Sequence, residues 1–192
     1  MTTRLLAFSG STRTGSLNSQ VLQTAIRGAE SAENCTVTLI NLNDYILPLY
    51  NGDDEHAHGM PEAAQRLLRV FEAHDGLLLA SPEYNGFFTP LIKNTFDWMS
   101  RAEPDGKSGL RVFKNYPAAL VSSSPGIVGG LRSLMMVRMY LSNLGFLVLP
   151  DQVAVTGQKL QDGKITDERL EQAVLALGKT LASCVNKHGT SV

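Results

Sequence analysis

Several features that would narrow the function of this chain at once are missing from it. No apolar run approaches the roughly 20 residues a membrane helix needs, so no membrane partner is expected. Arg4 is followed by a strand-like run too short for the core of a signal peptide, and the expected location is cytoplasmic. Cysteine is scarce: Cys35 and Cys184 lie far apart and form no C-x-x-C pair, which fits reduced structural thiols. Charge of one sign is not in excess. Lys and Arg number 17 and Asp and Glu 18, so the net charge of −1 gives no reason to expect nucleic acid as a partner. Repeats, low-complexity tracts and linkers are absent too. The 192 residues read as a single domain, 1–192, long enough to bury a sizeable core.

What the chain does have is a regular alternation of strand and helix patterns. Residues 4–9 are nearly all apolar, as a strand covered on both faces requires, and 18–31 follow as an amphipathic helix. Residues 35–42 alternate like an edge strand. An irregular, aromatic segment spans 43–59, and Pro61 opens a helix through Ala73. Residues 76–81 are a short central strand that must stop at Pro82, because proline has no N–H. Thr89-Pro90 reads as N-cap and first helical residue of a helix with Lys93, Asp97 and Arg101 on a polar row. After a polar excursion over 102–116, a fourth strand covers 117–123. A helix over 130–143 is apolar all round, as expected for one side on the sheet and the other on a partner subunit. A fifth strand over 146–149 is interrupted by Pro150 and resumes at 153–155. A helix over 166–186 closes the chain, with fraying expected after His188.

Five alternations imply an α/β fold with a parallel sheet, and the edge-like second strand favours the order 2-1-3-4-5. A ligand then sits beyond the carboxyl ends of strands one, three and four, where three polar loops converge: residues 9–18, 82–88 and 122–130. The first carries Ser9, Ser11, Thr12, Thr14 and Ser16 with Arg13 between a strand and a helix start, an arrangement that holds an anion. An ordinary strand-to-helix turn would also use Gly and Ser. Gly10-x-x-x-x-Gly15-Ser16 lacks the lysine of a nucleotidase phosphate loop, and neither glycine-bearing loop has dinucleotide-fold spacing. Asp53-Asp-Glu-His56-Ala-His58 is what a solvated loop produces, so no functional metal is expected. No G-x-S-x-G elbow is present. A mononucleotide phosphate on the first loop remains, with a planar group against Tyr84, Phe87, Phe88 and the backbone of Gly86 and residues 122–126. Flavin mononucleotide (FMN) fits that shape.

Three stretches carry a resemblance to a known family: Gly10-Ser-x-Arg13-x-x-Ser16-x-Asn18, Pro82-Glu-Tyr-Asn85 continuing to Pro90-x-x-Lys93-Asn94-x-x-Asp97-Trp98-x-Ser100-Arg101, and Ser124-x-Gly126-x-x-Gly129-Gly130-x-Arg132. In these the chain resembles the NADPH-dependent FMN reductases, from about the first strand to Pro150. The resemblance implies a flavodoxin-like three-layer sandwich and non-covalent FMN, with NADPH or NADH as co-substrate. It implies FMN contacts from Ser11, Arg13, Ser16, Leu17 and Asn18 around the phosphate. Pro82, Glu83, Tyr84, Asn85 and Gly86 would border the ring and ribityl chain, and Ser123, Ser124 and Gly126 the opposite edge. Tyr84 and Asn85 would orient the ring or the incoming nicotinamide, and no side chain is expected to act as catalytic acid or base. The implied reaction passes a hydride through the flavin to a small acceptor (quinone, free flavin, azo compound or metal oxyanion) in ping-pong order, in a homodimer or homotetramer. The competing class is a flavodoxin-like electron carrier without its own NAD(P)H turnover, which the near-neutral charge disfavours.

Overall fold

The computed structural model of the protein describes residues 2–188. Its sheet contains β1 (Thr3–Ser9), β2 (Cys35–Leu39), β3 (Gly76–Ala80), β4 (Pro117–Ser124) and β5 (Leu147–Thr156), in the order β2-β1-β3-β4-β5. Every pairing within it is parallel. This is the order the strand patterns predict. β3 is buried at all five positions and lies in the centre, whereas alternating β2 takes an edge.

Successive side chains on a strand point to opposite faces, so each strand feeds two cores. Leu5, Ala7, Leu78, Ala80, Ala119 and Val121 pack under α1 (Leu17–Glu30) and α6 (Glu168–His188). Leu6, Phe8, Leu77, Leu79, Ala118 and Leu120 pack under α3 (Glu62–Glu72), α4 (Pro90–Met99) and α5 (Leu131–Leu144). The result is the expected three-layer, flavodoxin-like architecture. Among the described residues, no helix is long and apolar enough to cross a membrane.

Several expectations need correction. The segment 43–59 is not irregular throughout: it holds α2 (Gly52–His58), where Asn51 Oδ1 accepts from Asp53 N at 2.9 Å. Its acidic residues fall in the first turn and its histidines in the last, matching the helix dipole. Pro61 sits at the cap of α3 rather than inside it. Pro150 does not break the fifth strand. Ala118 pairs with Val148 and Leu120 with Gln152, so residues 149–151 bulge out on an edge where a missing N–H costs nothing. A hairpin of β6 (Leu160–Gln161) and β7 (Lys164–Ile165) was not anticipated, although its Asp162-Gly163 turn, at φ 48° and 78°, is the strongest short hairpin signal. The excursion over 102–116 contains a 3-10 turn (Gly109–Phe113) and the buried Glu103, paired with Arg69 and Arg111. The tail expected to fray lies outside the described residues.

Within the chain, α5 is covered on one side only. Ser133, Leu134, Val137 and Leu141 are buried, while Leu131, Met135 and Met139 stay exposed at four-residue spacing.

Candidate functional site

The three polar loops do converge at the carboxyl ends of β1, β3 and β4. Gly10 makes the first approach possible. Its N–H donates to Ala80 O at 2.9 Å, Thr89 Oγ1 donates to its carbonyl at 2.9 Å, and a Cβ here would overlap the Ile92 side chain. Beyond it the loop folds on itself. Ser9 Oγ accepts from Ser11 N at 3.2 Å and Ser11 Oγ from Arg13 N at 3.4 Å. The Arg13 guanidinium donates to Thr14 O and Gly15 O, each at 3.2 Å.

α1 then starts without a side-chain cap. Ser16 occupies the N-cap position and makes no capping hydrogen bond, although serine is a favoured cap. Gln20 N donates to Ser16 O, which leaves the N–H groups of Leu17, Asn18 and Ser19 ahead of the helical ladder. Those donors, Arg13, and the open space at Gly15, where a Cβ would meet nothing, form a cradle for an anion.

Asn18 joins this cradle to the third loop. Its side-chain amide donates to Ser123 O at 2.7 Å and accepts from Ser123 N at 2.9 Å, and both residues are buried. Both functions of the amide are thus spent on a clasp, and Asn18 can offer an anion only its backbone N–H. Ser123 Oγ donates to Val155 O at 2.7 Å, Ser124 is half-buried and Gly126 faces outward. Thr156, paired with Ser124 across the strands, carries a buried hydroxyl with no hydrogen-bond partner. Gly157 brings this corner against Leu17 and Pro125. No sequence signal marks Thr156 or Gly157, because their place depends on the β4–β5 register.

The second loop is a tight turn. Tyr84 N donates to Phe87 O at 2.8 Å and Phe87 N to Tyr84 O at 3.1 Å, with Asn85 at φ 53° and Gly86 at φ 83°. Two positive φ angles define a type I′ turn, which the Asn-Gly pair supplies. It leaves Tyr84 and Phe87 side by side and exposed. Pro82 is buried behind them.

Glu83 points elsewhere. Its side chain is 6% exposed, and its carboxylate accepts from Arg132 Nε at 2.9 Å, from Arg132 Nη2, and from Ser133 N at 3.3 Å in the first turn of α5. Burial works against its charge, but the hydrogen bonds and charge of Arg132, with the Ser133 N–H, outweigh it and hold the carboxyl below its usual range. Beneath lies a serine network: Ser122 Oγ donates to Ser81 O at 2.6 Å, Ser133 Oγ to Pro82 O at 2.9 Å, and the Ser81 and Ser133 hydroxyls lie 2.7 Å apart. Gly130 admits it, since at φ 91° a Cβ would collide with Ser122 Oγ. Glu83 therefore locks the second loop to α5.

The remaining motif residues hold the loop after β2. Asn94 Nδ2 and Trp98 Nε1 both donate to Pro48 O at 2.8 Å, Tyr50 N donates to Asn94 Oδ1 at 2.7 Å, and Arg101 lies over the Tyr50 ring at 5.3 Å. Of the expected polar row, Lys93 and Asp97 do pair, while Arg101 reaches the Asp97 carbonyl at 3.0 Å rather than its carboxylate. Between the first loop and the end of β2 opens a cavity of about 510 Å³, lined by Ser11, Arg13, Ser19, Asn41, Asp44 and Tyr45 among others. It collects Ser11 and Arg13 of the expected site and none of residues 82–86 or 123–126. Among the described residues, no three His, Cys, Asp or Glu side chains gather as a metal site.

The sequence model of the NADPH-dependent FMN reductase family matches residues 3–159. An NAD(P)H-dependent FMN reductase of Pseudomonas aeruginosa is 33% identical over 175 residues, covering 89% of each chain. A quinone reductase of Escherichia coli is 30% identical over 140 residues, covering 73% of this chain and 70% of its own. Among solved structures, an NAD(P)H:(acceptor) oxidoreductase of Paracoccus denitrificans superposes with a TM-score of 0.78 at 27% identity, over 97% of this chain and 98% of that one.

Proposed function

The chain belongs to the NADPH-dependent FMN reductase family, an FMN-dependent oxidoreductase family with NAD(P)H as co-substrate, and on that premise we propose that it reduces a small acceptor in ping-pong order. The acceptor class comprises quinones, free flavins, azo compounds and metal oxyanions. Bound FMN supplies the two-electron chemistry, and the chain's own residues supply position and charge. The observation that carries this reading is the uncapped start of α1 beside Arg13, clasped by Asn18 to the end of β4.

The residues present fit a phosphate-ended planar group. The N–H groups of Leu17 and Asn18, the Ser11 and Ser16 hydroxyls and Arg13 would hold the phosphate. Gly15 and Gly126 leave room, and the orphan Thr156 hydroxyl awaits a partner at the same corner. Pro82, Tyr84, Asn85 and Gly86 would border one side of the ring and Ser123, Ser124 and Gly126 the other, with Tyr84 and Asn85 orienting it. Glu83 would contribute by holding that wall against α5 through Arg132.

We place the whole chain in one domain, in the cytoplasm, and in a homodimer or homotetramer seated on the exposed Leu131, Met135 and Met139 of α5. A patch of that kind on a helix otherwise packed on the sheet supports a partner subunit. The test is direct. Purified protein should carry FMN absorbance and oxidise NADPH or NADH in steady state with a quinone. A colourless protein that retains no flavin after incubation with FMN and gel filtration, or a yellow one without turnover, contradicts the proposal.

A further inference from the structure

At the tip of the second loop, Phe87 is the outer member of a column of three rings. Its ring stacks on Phe88 (centroids 4.6 Å apart, planes at 30°), and Phe88 stacks on Tyr140 of α5 (5.1 Å, 20°). Phe88 is buried, whereas Phe87 is 46% exposed. The base of the column is tied down: Tyr140 Oη donates to Asp97 Oδ1 at 3.0 Å, Lys93 pairs with Asp97, and Lys93 Nζ lies 5.3 Å from the Tyr140 ring centre. The top is fixed by the Asn85-Gly86 turn, which also sets Tyr84 beside Phe87.

An exposed ring normally keeps its rotameric freedom, and holding it costs side-chain entropy. Here the backbone turn and the column beneath have already paid that cost, so a planar ligand stacking on Phe87 need not order it. A ring face attracts another planar π-system in offset or tilted contact and offers nothing to a small, strongly hydrated oxyanion. Arg132, which could attract an anion, is already engaged by Glu83.

Resting on the function proposed above, we infer that Phe87 is the specificity-determining residue for the electron acceptor, its ring face favouring planar aromatic acceptors over small, strongly hydrated ones. The reaction balances as NAD(P)H plus a proton plus quinone giving NAD(P)+ and hydroquinone. The hydride brings two electrons and one proton, and solvent brings the second proton.

The experiment compares wild-type holoenzyme with Phe87→Ser and Phe87→Tyr, using 1,4-naphthoquinone and ferricyanide as acceptors and NADPH as donor. The loss of one stacking partner should lower the naphthoquinone-to-ferricyanide ratio of kcat/KM about 5- to 10-fold in Phe87→Ser, mainly through the naphthoquinone KM. Phe87→Tyr, which keeps the ring, should restore the ratio. A ratio unchanged in Phe87→Ser overturns the inference. So does a changed oligomeric state in that variant by sedimentation, which would assign the ring to a second copy of the chain. If wild type binds FMN and oxidises NADPH but reduces naphthoquinone no better than chromate, the inference fails and the reductase reading stands. If wild type binds FMN but turns over NADPH with neither naphthoquinone, ferricyanide nor chromate, both fail.

Discussion

Replacing Asn18 by alanine tests the clasp that holds two of the three loops together. In the folded protein the amide satisfies both the N–H and the C=O of Ser123, and alanine leaves both groups orphaned where Ser123 is only 2% exposed. Each buried orphan costs about 1–3 kcal/mol, so the pair should cost about 2–6 kcal/mol. In a chain of this size that lowers Tm by roughly 4–24 °C. FMN affinity should fall with it, because the N-terminus of α1 and the backbone of Ser123 and Ser124 are no longer fixed relative to one another. Asn18→Asp should fare no better at neutral pH: it can still accept from Ser123 N but sets a second oxygen against Ser123 O. Circular dichroism melts of the apo-protein and fluorescence titration with FMN give the two readouts separately. A Tm within about 2 °C of wild type would refute the clasp outright. Lost FMN affinity at unchanged Tm would mean that the amide is a direct ligand, contrary to the geometry.

Other outcomes follow from the same network. Arg13→Ala should weaken FMN binding about 10- to 100-fold, the range of one charge-assisted hydrogen bond; affinity within about twofold of wild type by titration would remove Arg13 from the phosphate site. Glu83 titrates below its usual range, so its stabilising contribution is complete above about pH 4.5 and is lost as pH falls through the depressed folded-state value. Urea midpoints should therefore drop more steeply with acid in wild type than in Glu83→Gln, and parallel curves would contradict the ion pair's role. Gly130→Ala should destabilise by about 1–3 kcal/mol through backbone strain at its φ of 91°, more where the Ser122 hydroxyl must move. Ser122→Ala in the same chain should relieve part of that loss in denaturant titrations, and no relief would mean the collision is not with Ser122.

Local physics made much of this protein legible in its residues. Apolar runs of strand length told β1 and β3 from the alternating edge strand β2, because burial on both faces and burial on one leave different patterns. Thr89-Pro90 marked the start of α4 because capping and a fixed φ act within a single turn. The crevice position followed from strand order, and the three loops were recognisable from Gly10-Ser-x-Arg13, Pro82-Glu-Tyr-Asn85 and the glycines after Ser124. Turn chemistry was equally local, and the Asp162-Gly163 hairpin was readable even though the strand and helix pattern alone passed over it.

Contacts across the fold decided the rest. Nothing near Asn18 in the chain says that its amide meets Ser123, 105 residues away. Nothing around Glu83 says that its carboxylate closes on Arg132 rather than on a ligand, or that Pro48 O is where Asn94 and Trp98 converge. Whether Pro150 interrupts a strand depended on a neighbour that could absorb a bulge, and the orphan hydroxyl of Thr156 on the register beside it. Propensity and periodicity act between residues a few positions apart, and they determined the elements and the residue types of the site. A hydrogen bond between a side chain and a distant backbone exists only once the sheet has brought the two together, and such bonds decided which residues of the candidate site hold the others in place.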